Sequence, residues 1–245
     1  MTILFVAGTD TDVGKTTATV FITEFLSNHG HNFIPFKPIQ TGAVFQNDDL
    51  IAPDWLTYSQ ALNENTPLPD YVFETPCSPH LAASLDQVQI NPNFLTESVN
   101  KRKDEVDGVV VEGAGGLFVP LTSDGYCIID WIKELEASVV LVARAGVGTI
   151  NHTLLSIEAM KARNIQIASL LFTDIDNQPP LIVEDNIRMI SKLSNVPVLG
   201  IIPYQQDIQE TLRNTEMKRA CYSNWDYTLL KEAITIESKS VSSEK

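Results

Sequence analysis

Positive charge is in short supply in this chain: 17 lysines and arginines stand against 31 aspartates and glutamates, a net charge of −14. Non-specific binding to DNA or to an anionic membrane is thereby disfavoured, because both would repel it. Small anions remain possible partners wherever lysines and backbone N–H groups gather locally. There are three cysteines, Cys77, Cys127 and Cys221, far apart and without a CxxC pair. They build no disulfide framework and fit a reducing cytoplasm. The opening apolar run, Ile3–Ala7, is far too short to cross a bilayer and lacks a basic leader, so neither membrane insertion nor secretion is expected. His29, His31 and His152 lack metal-ligand spacing, and no Ser-His-Asp or Cys-His arrangement calls for a protein nucleophile.

What the chain does have is apolar residues in ordered runs. At 245 residues and 44% apolar content it can bury a large core, and one domain over residues 1–236 with a polar tail at 237–245 is the favoured division. Ile3–Ala7 runs into Gly8-Thr9-Asp10-Thr11-Asp12-Val13-Gly14-Lys15-Thr16, after which Ala18, Phe21, Ile22, Phe25 and Leu26 recur at helical spacing. A strand that ends in glycine and turns straight into a helix aims backbone N–H groups at the positive end of the helix dipole, where a polyphosphate binds. Lys15 would reach the terminal phosphates and the Thr16 hydroxyl would hold Mg²⁺. Five residues rather than the usual four separate Gly8 from Gly14.

Further strands are expected at Phe33–Phe36, with Pro35 favouring a sheet edge, at Val106–Val111, Ser138–Ala143, Ile165–Phe172 and Val198–Ile202. Helices between them, among them Trp55–Leu62 and Leu181–Leu193, give an alternation that predicts an α/β sandwich with a mostly parallel sheet. Asn63–Pro79, with four prolines, reads as an irregular excursion. Ligands of such sheets collect at the carboxyl ends of the strands. That rule puts the glycine loop, Lys37, Glu112, Gly146–Asn151, Thr173 and Pro203 on one rim.

Lys37, after a strand, is a second cation for the phosphate site or else an ordinary surface lysine. Glu112, at the end of an apolar strand, suits Mg²⁺ together with Thr16 and Asp54, since Mg²⁺ takes few carboxylates plus phosphate oxygens and waters. Asp48 and Asp49 rival Asp54, and spacing does not choose among them. Gly113–Gly116 precedes Phe118-Val119-Pro120 rather than a helix, which weakens a dinucleotide reading. Gly146–His152 reads equally as an anion-binding helix start and as a tight turn. Ser78-Pro79 suits a helix cap, with His80 incidental.

Five segments in order, the lengthened loop at 8–16, Lys37–Gly42, Ser78–His80, Val111–Gly116 and Gly148–His152, resemble the dethiobiotin synthetases, the ATP-dependent enzymes of biotin synthesis. The likeness runs from Ile3 to about Glu210 and implies a P-loop NTPase fold. It implies that CO₂ and 7,8-diaminononanoate form a carbamate, that the ATP γ-phosphoryl group passes to it, and that the second amine closes a ureido ring. The implied catalytic set is Lys37, Lys15, Thr11 and Asp12. The implied nucleotide site is Asp12, Val13, Gly14, Lys15, Thr16, Thr17, Asp54, Glu112, Gly113, Ala114, Gly115, Thr173, Asp174, Pro203, Tyr204, Gln205 and Glu210. Mg²⁺ would lie on Thr16, Asp54 and Glu112. Thr41, Lys37 and Ser78 would face the diamine, whose far carboxylate would meet Gly148, Thr149, Ile150, Asn151 and Asn186 from the second subunit of a cytoplasmic homodimer.

Three positions depart from the family's usual pattern: Asp12 where Glu is frequent, Thr41 where Ser is common, and Thr173 where Asn often reads the adenine edge. A threonine offers one hydroxyl in place of an amide's donor and acceptor pair, so relaxed base selectivity is expected. Three other readings compete. Partitioning-type ATPases place a signature lysine five positions before the loop lysine, where this chain has Asp10. An amidotransferase synthetase would need a glutaminase domain for which there is no room, and a non-enzymatic nucleotide module would leave Lys37 and Glu112 without an obligatory role.

Overall fold

The computed structural model describes residues 2–47, 49–62, 66–102 and 106–240. Strand Thr2–Gly8 (β1) feeds helix Lys15–Asn28 (α1), and Phe33–Phe36 (β2) follows. Short strands Ile39–Gln40 (β3), Val44–Gln46 (β4) and Asp49–Ile51 (β5) precede helix Pro53–Leu62 (α2), strand Tyr71–Val72 (β6) and helices Pro79–Leu85 (α3) and Pro92–Lys101 (α4). The second half alternates more regularly: Gly108–Gly116 (β7), Ile128–Glu134 (α5), Ser138–Arg144 (β8), Thr149–Lys161 (α6), Ile167–Thr173 (β9), Pro180–Ser194 (α7) and Val198–Ile202 (β10). Helices Ile208–Arg213 (α8), Thr215–Tyr222 (α9) and Tyr227–Ser240 (α10) close the described chain.

Six strands form one parallel sheet in the order β10-β9-β8-β1-β7-β2. β1 lies inside, and its alternate side chains divide between two cores as the two-residue strand period requires. Ile3, Phe5 and Ala7 pack with Trp131, Leu141 and Phe172 on one face, while Leu4 and Val6 pack with Phe21, Val142 and Leu230 on the other. Both faces of β1 are covered, which is why it reads as a continuous apolar run. Pro35 lies on β2, the sheet's edge strand, as its missing N–H requires.

Three expectations are corrected. β7 begins at Gly108 rather than Val106 and continues through the glycines to pair Gly116 with Gly8. Gly113 allows this, because a Cβ there would come within 2.9 Å of the Phe5 ring. The Asn63–Pro79 stretch is only partly irregular. Its β6 pairs with β3, and Phe73 N donates to Gln40 O at 2.8 Å, so the excursion is stitched beside Lys37–Gly42. The polar tail starts late, since α10 reaches Ser240 after burying Leu230 and Ala233 against the sheet; residues 241–245 lie outside the described residues. Among the described residues no helix is long and apolar enough to cross a membrane.

Candidate active site

The loop between β1 and α1 takes two left-handed residues, Asp12 (φ 55°) and Gly14 (φ 88°), and thereby absorbs its extra length. Glycine suits the second position, because a Cβ at Gly14 would also press on Thr173 Cγ2 at 3.0 Å. Thr173, at the end of β9, donates its hydroxyl to Val13 O at 2.7 Å and so ties the loop to the sheet. Lys15 opens α1 and curls back to give its Nζ to Asp10 O at 2.8 Å. Burial lowers the Lys15 pKa to about 8, against the pull of Glu112.

Beside the loop, four side chains from four elements meet. Lys37 Nζ, just past β2, lies 2.5 Å from Asp54 Oδ2 in the first turn of α2 and 2.7 Å from Glu112 Oε1 on β7. Thr16 Oγ1 on α1 lies 2.9 Å from Asp54 Oδ1 and 3.0 Å from Glu112 Oε1. Burial opposes charge on Lys37, but Glu112 and Asp54 outweigh it and raise its pKa, so it stays an ammonium. Burial likewise opposes ionisation of Asp54, and Lys37 overcomes it, leaving that carboxyl below its ordinary range. Gln40 steadies the start of α2 by accepting from Asp54 N at 3.3 Å.

The donor set fits Mg²⁺. Two carboxylates and a hydroxyl are hard oxygen ligands, too few to hold the ion alone and suited to sharing it with phosphate oxygens and water. Among the described residues no group of three or more His, Cys, Asp or Glu is gathered as a metal site. Asp49 is exposed on β5 and makes no contact with this cluster, and Asp48 lies outside the described residues. Of Asp54 and Asp49, it is Asp54 that meets Thr16 and Lys37.

A cavity of about 840 Å³ runs over this cluster, and Thr11, Asp12, Gly14, Lys15, Thr16, Thr17, Lys37, Thr41, Asp54, Ser78, Glu112, Ala114 and Gly115 line it. A smaller cavity of about 180 Å³ shares Gly14 and Thr17 with it and extends to Thr173, Asp174, Pro203, Tyr204 and Gln205. Other expected site residues fall elsewhere. Val13 turns its side chain into the core, and Gly113 is sealed beneath Phe5. Glu210 is exposed on α8 and lines neither cavity. Gly148, Thr149, Ile150 and Asn151 also line neither; Thr149 Oγ1 pairs with Thr153 Oγ1 at 3.1 Å, while Asn151 is exposed. Asn186 is buried, and its Nδ2 holds Ala145 O at 2.9 Å and Gly146 O at 3.0 Å, clamping the turn before α6.

Sequence reasoning missed Tyr58, whose hydroxyl donates to Glu112 Oε2, and the cavity wall made by Val119 and Ile175. Tyr58 reads as one more residue on the apolar face of its helix. The available signal was its spacing, four residues after Asp54, which stacks the two on one side of α2.

The chain matches the AAA domain family over residues 2–211. It is 44% identical to the ATP-dependent dethiobiotin synthetase BioD of Halalkalibacterium halodurans over 94% of this chain and 96% of that protein. The enzymes of the same name from Anoxybacillus flavithermus (40%; 82% of this chain and 90% of that protein) and Clostridium novyi (34%; 94% and 98%) are also similar. Among solved structures, the septum site-determining protein MinD from Pyrococcus horikoshii aligns with a TM-score of 0.55 at 14% identity, covering 99% of this chain and 96% of that one. A ParA family ATPase from Chlorobium tepidum aligns at 0.53 and 12%, covering 95% of each. At such identities these two share the fold alone, the P-loop NTPase sandwich. Near-full-length identity to several synthetases decides the family where fold does not: the chain belongs to the ATP-dependent dethiobiotin synthetases.

Proposed function

We propose that this chain uses ATP to close 7,8-diaminononanoate and CO₂ into the cyclic urea dethiobiotin. The observation that carries the reading is Lys37 held between Asp54 and Glu112 in the same cavity as the phosphate loop, Thr41 and Ser78. One amine nitrogen attacks the carbon of CO₂ and loses a proton, giving a carbamate. A carbamate oxygen then attacks the γ-phosphorus, the bond to the β,γ-bridging oxygen breaks, and ADP leaves. The second amine attacks the carbamoyl carbon, phosphate departs and a proton is released. No protein nucleophile is needed.

In this scheme Lys15 and Lys37 offset the negative charge on the carbamate and on the transferring phosphoryl oxygens. Thr11 and Asp12 flank that group from the loop, and Thr17 follows the nucleotide toward the smaller cavity. Thr16, Asp54 and Glu112 would hold Mg²⁺, which would supply positive charge to screen the phosphates. The base lies along Asp174 and Pro203–Gln205. Because the Thr173 hydroxyl gives its one proton to Val13 O, it has only acceptor capacity left for the base edge, in place of an amide's donor and acceptor pair, and base selectivity is relaxed. Gly148–Asn151 of a second subunit takes the far carboxylate of the diamine, with exposed apolar residues Val147, Leu155 and Leu181 supporting a homodimer on that side. The three free cysteines fit a cytoplasmic setting.

Purified protein with ATP, Mg²⁺, bicarbonate and the diamine is expected to yield the cyclic urea by mass, with one ADP formed per ring. CTP and GTP are expected to support the same product. ATP consumption that is indifferent to the diamine overturns the proposal, and strict dependence on ATP overturns the account of Thr173.

A further inference from the structure

Glu112 is fully buried, and its two oxygens do different things. Oε1 faces Lys37 and Thr16 across the cavity, at 2.7 and 3.0 Å. Oε2 turns away and accepts a hydrogen bond from the hydroxyl of Tyr58, itself 1% exposed, which the reaction above does not use. Without that donor a buried carboxylate oxygen would be unpaired, and the group would gain by rotating toward whichever donor it could reach. A phenol suits the task in a way that lysine or arginine would not: it is neutral, so it satisfies the oxygen without cancelling the charge that attracts a cation. Asp54 and Tyr58 stand one turn apart on α2. One helix thus carries one acidic member of the cluster and the clamp on the other.

We propose that Tyr58 is a positioning residue that fixes Glu112 with Oε1 turned into the cavity. It thereby sets the affinity of the nucleotide complex for its divalent cation, and leaves nucleotide affinity as such unaltered. The inference rests on the cation role proposed above for Glu112.

The test measures Mn²⁺ binding to the protein with ADP by electron paramagnetic resonance, alongside ADP binding in EDTA and the melting temperature. Tyr58→Phe keeps the ring and removes the donor, and it is expected to weaken Mn²⁺ binding about tenfold, as loss of an outer hydrogen bond to a metal ligand does. ADP affinity in EDTA should stay within about twofold, since that measurement contains no cation for Tyr58 to act on. Unchanged Mn²⁺ binding in Tyr58→Phe, while Glu112→Gln weakens it, overturns the inference and leaves the role of Glu112 standing. Unchanged Mn²⁺ binding in Glu112→Gln overturns both. Equal losses of Mn²⁺ affinity and metal-free ADP affinity in Tyr58→Phe mark general damage and also overturn it. The double variant Tyr58→Phe, Glu112→Gln removes the buried charge with its donor and decides the matter if the single variant does not fold. It should bind Mn²⁺ no more weakly than Glu112→Gln alone, and a further loss shows that Tyr58 acts elsewhere.

Discussion

The two ends of the proposed substrate path, the phosphate loop and the turn before α6, are finished to different degrees. At the phosphate end α1, α2, β7 and the segment after β2 each contribute one side chain to a cluster whose members are all paired: Thr16, Asp54, Glu112 and Lys37. Around the turn before α6, the polar groups are spent on the chain itself or stand in the open. Asn186 grips backbone carbonyls, Thr149 pairs with Thr153, and Val147 is 83% exposed beside them. On the proposed reading, the charges for phosphoryl transfer come together within one folded chain, whereas the far end of the substrate would need a site shared between two subunits.

The largest effect should come from the finished end. Lys37→Ala is expected to lower turnover by about a thousandfold with little change in ATP affinity, because the work proposed for it lies in the transition state. Single-turnover rates and nucleotide titrations check this, and unimpaired turnover would remove the contrast between the two ends. A smaller effect is expected from the unfinished end. Asn151→Ala should raise the KM for the diamine about tenfold, the scale of one hydrogen bond to a charged group, without altering the KM for ATP. Co-expressing Lys37→Ala and Asn151→Ala subunits sharpens the comparison. At low diamine the mixed dimer recovers activity only if Asn151 serves its neighbour's cavity, for one of its two sites is then intact.

The mildest effect is one of protons. Lys15 titrates at about 8 in the folded chain because burial disfavours its charge, and bound phosphate restores that charge. At pH 8 nucleotide binding should take up about half a proton, and apparent affinity should fall as pH rises further. Calorimetry in two buffers of different ionisation enthalpy measures the uptake. The unfolded chain holds this proton up to the ordinary value of 10.5, so Lys15 costs the folded state stability below about 8, and that cost is relieved as pH climbs between the two values.

What was legible in the sequence is what is local or doubly buried. The β1-loop-α1 unit is continuous in the chain, and β8 and β9 announce themselves as apolar runs because helices cover both of their faces. The β3–β6 ladder joins residues some thirty positions apart through two residues on each side, too short to show a period. The glycines of β7 read as a strand stop, although Gly113 lets the strand pass close over Phe5 and Gly115 lets it pass close to Val119. Asp54 and Asp49 look alike in the chain and differ only in what the fold brings to them. Thr173 stood out as a departure from pattern, and its bond to Val13 O was invisible because the partner is 160 residues away.

Lys15 and Lys37 bring two positive charges to this cavity, and Asp12, Asp54 and Glu112 bring three negative ones. A bare triphosphate entering this enclosure would tip it strongly toward the negative, whereas one escorted by a doubly positive ion disturbs it far less. The small negative excess of the resting cleft is in this sense a filter: before any contact is counted, it favours the nucleotide that brings its own counter-ion.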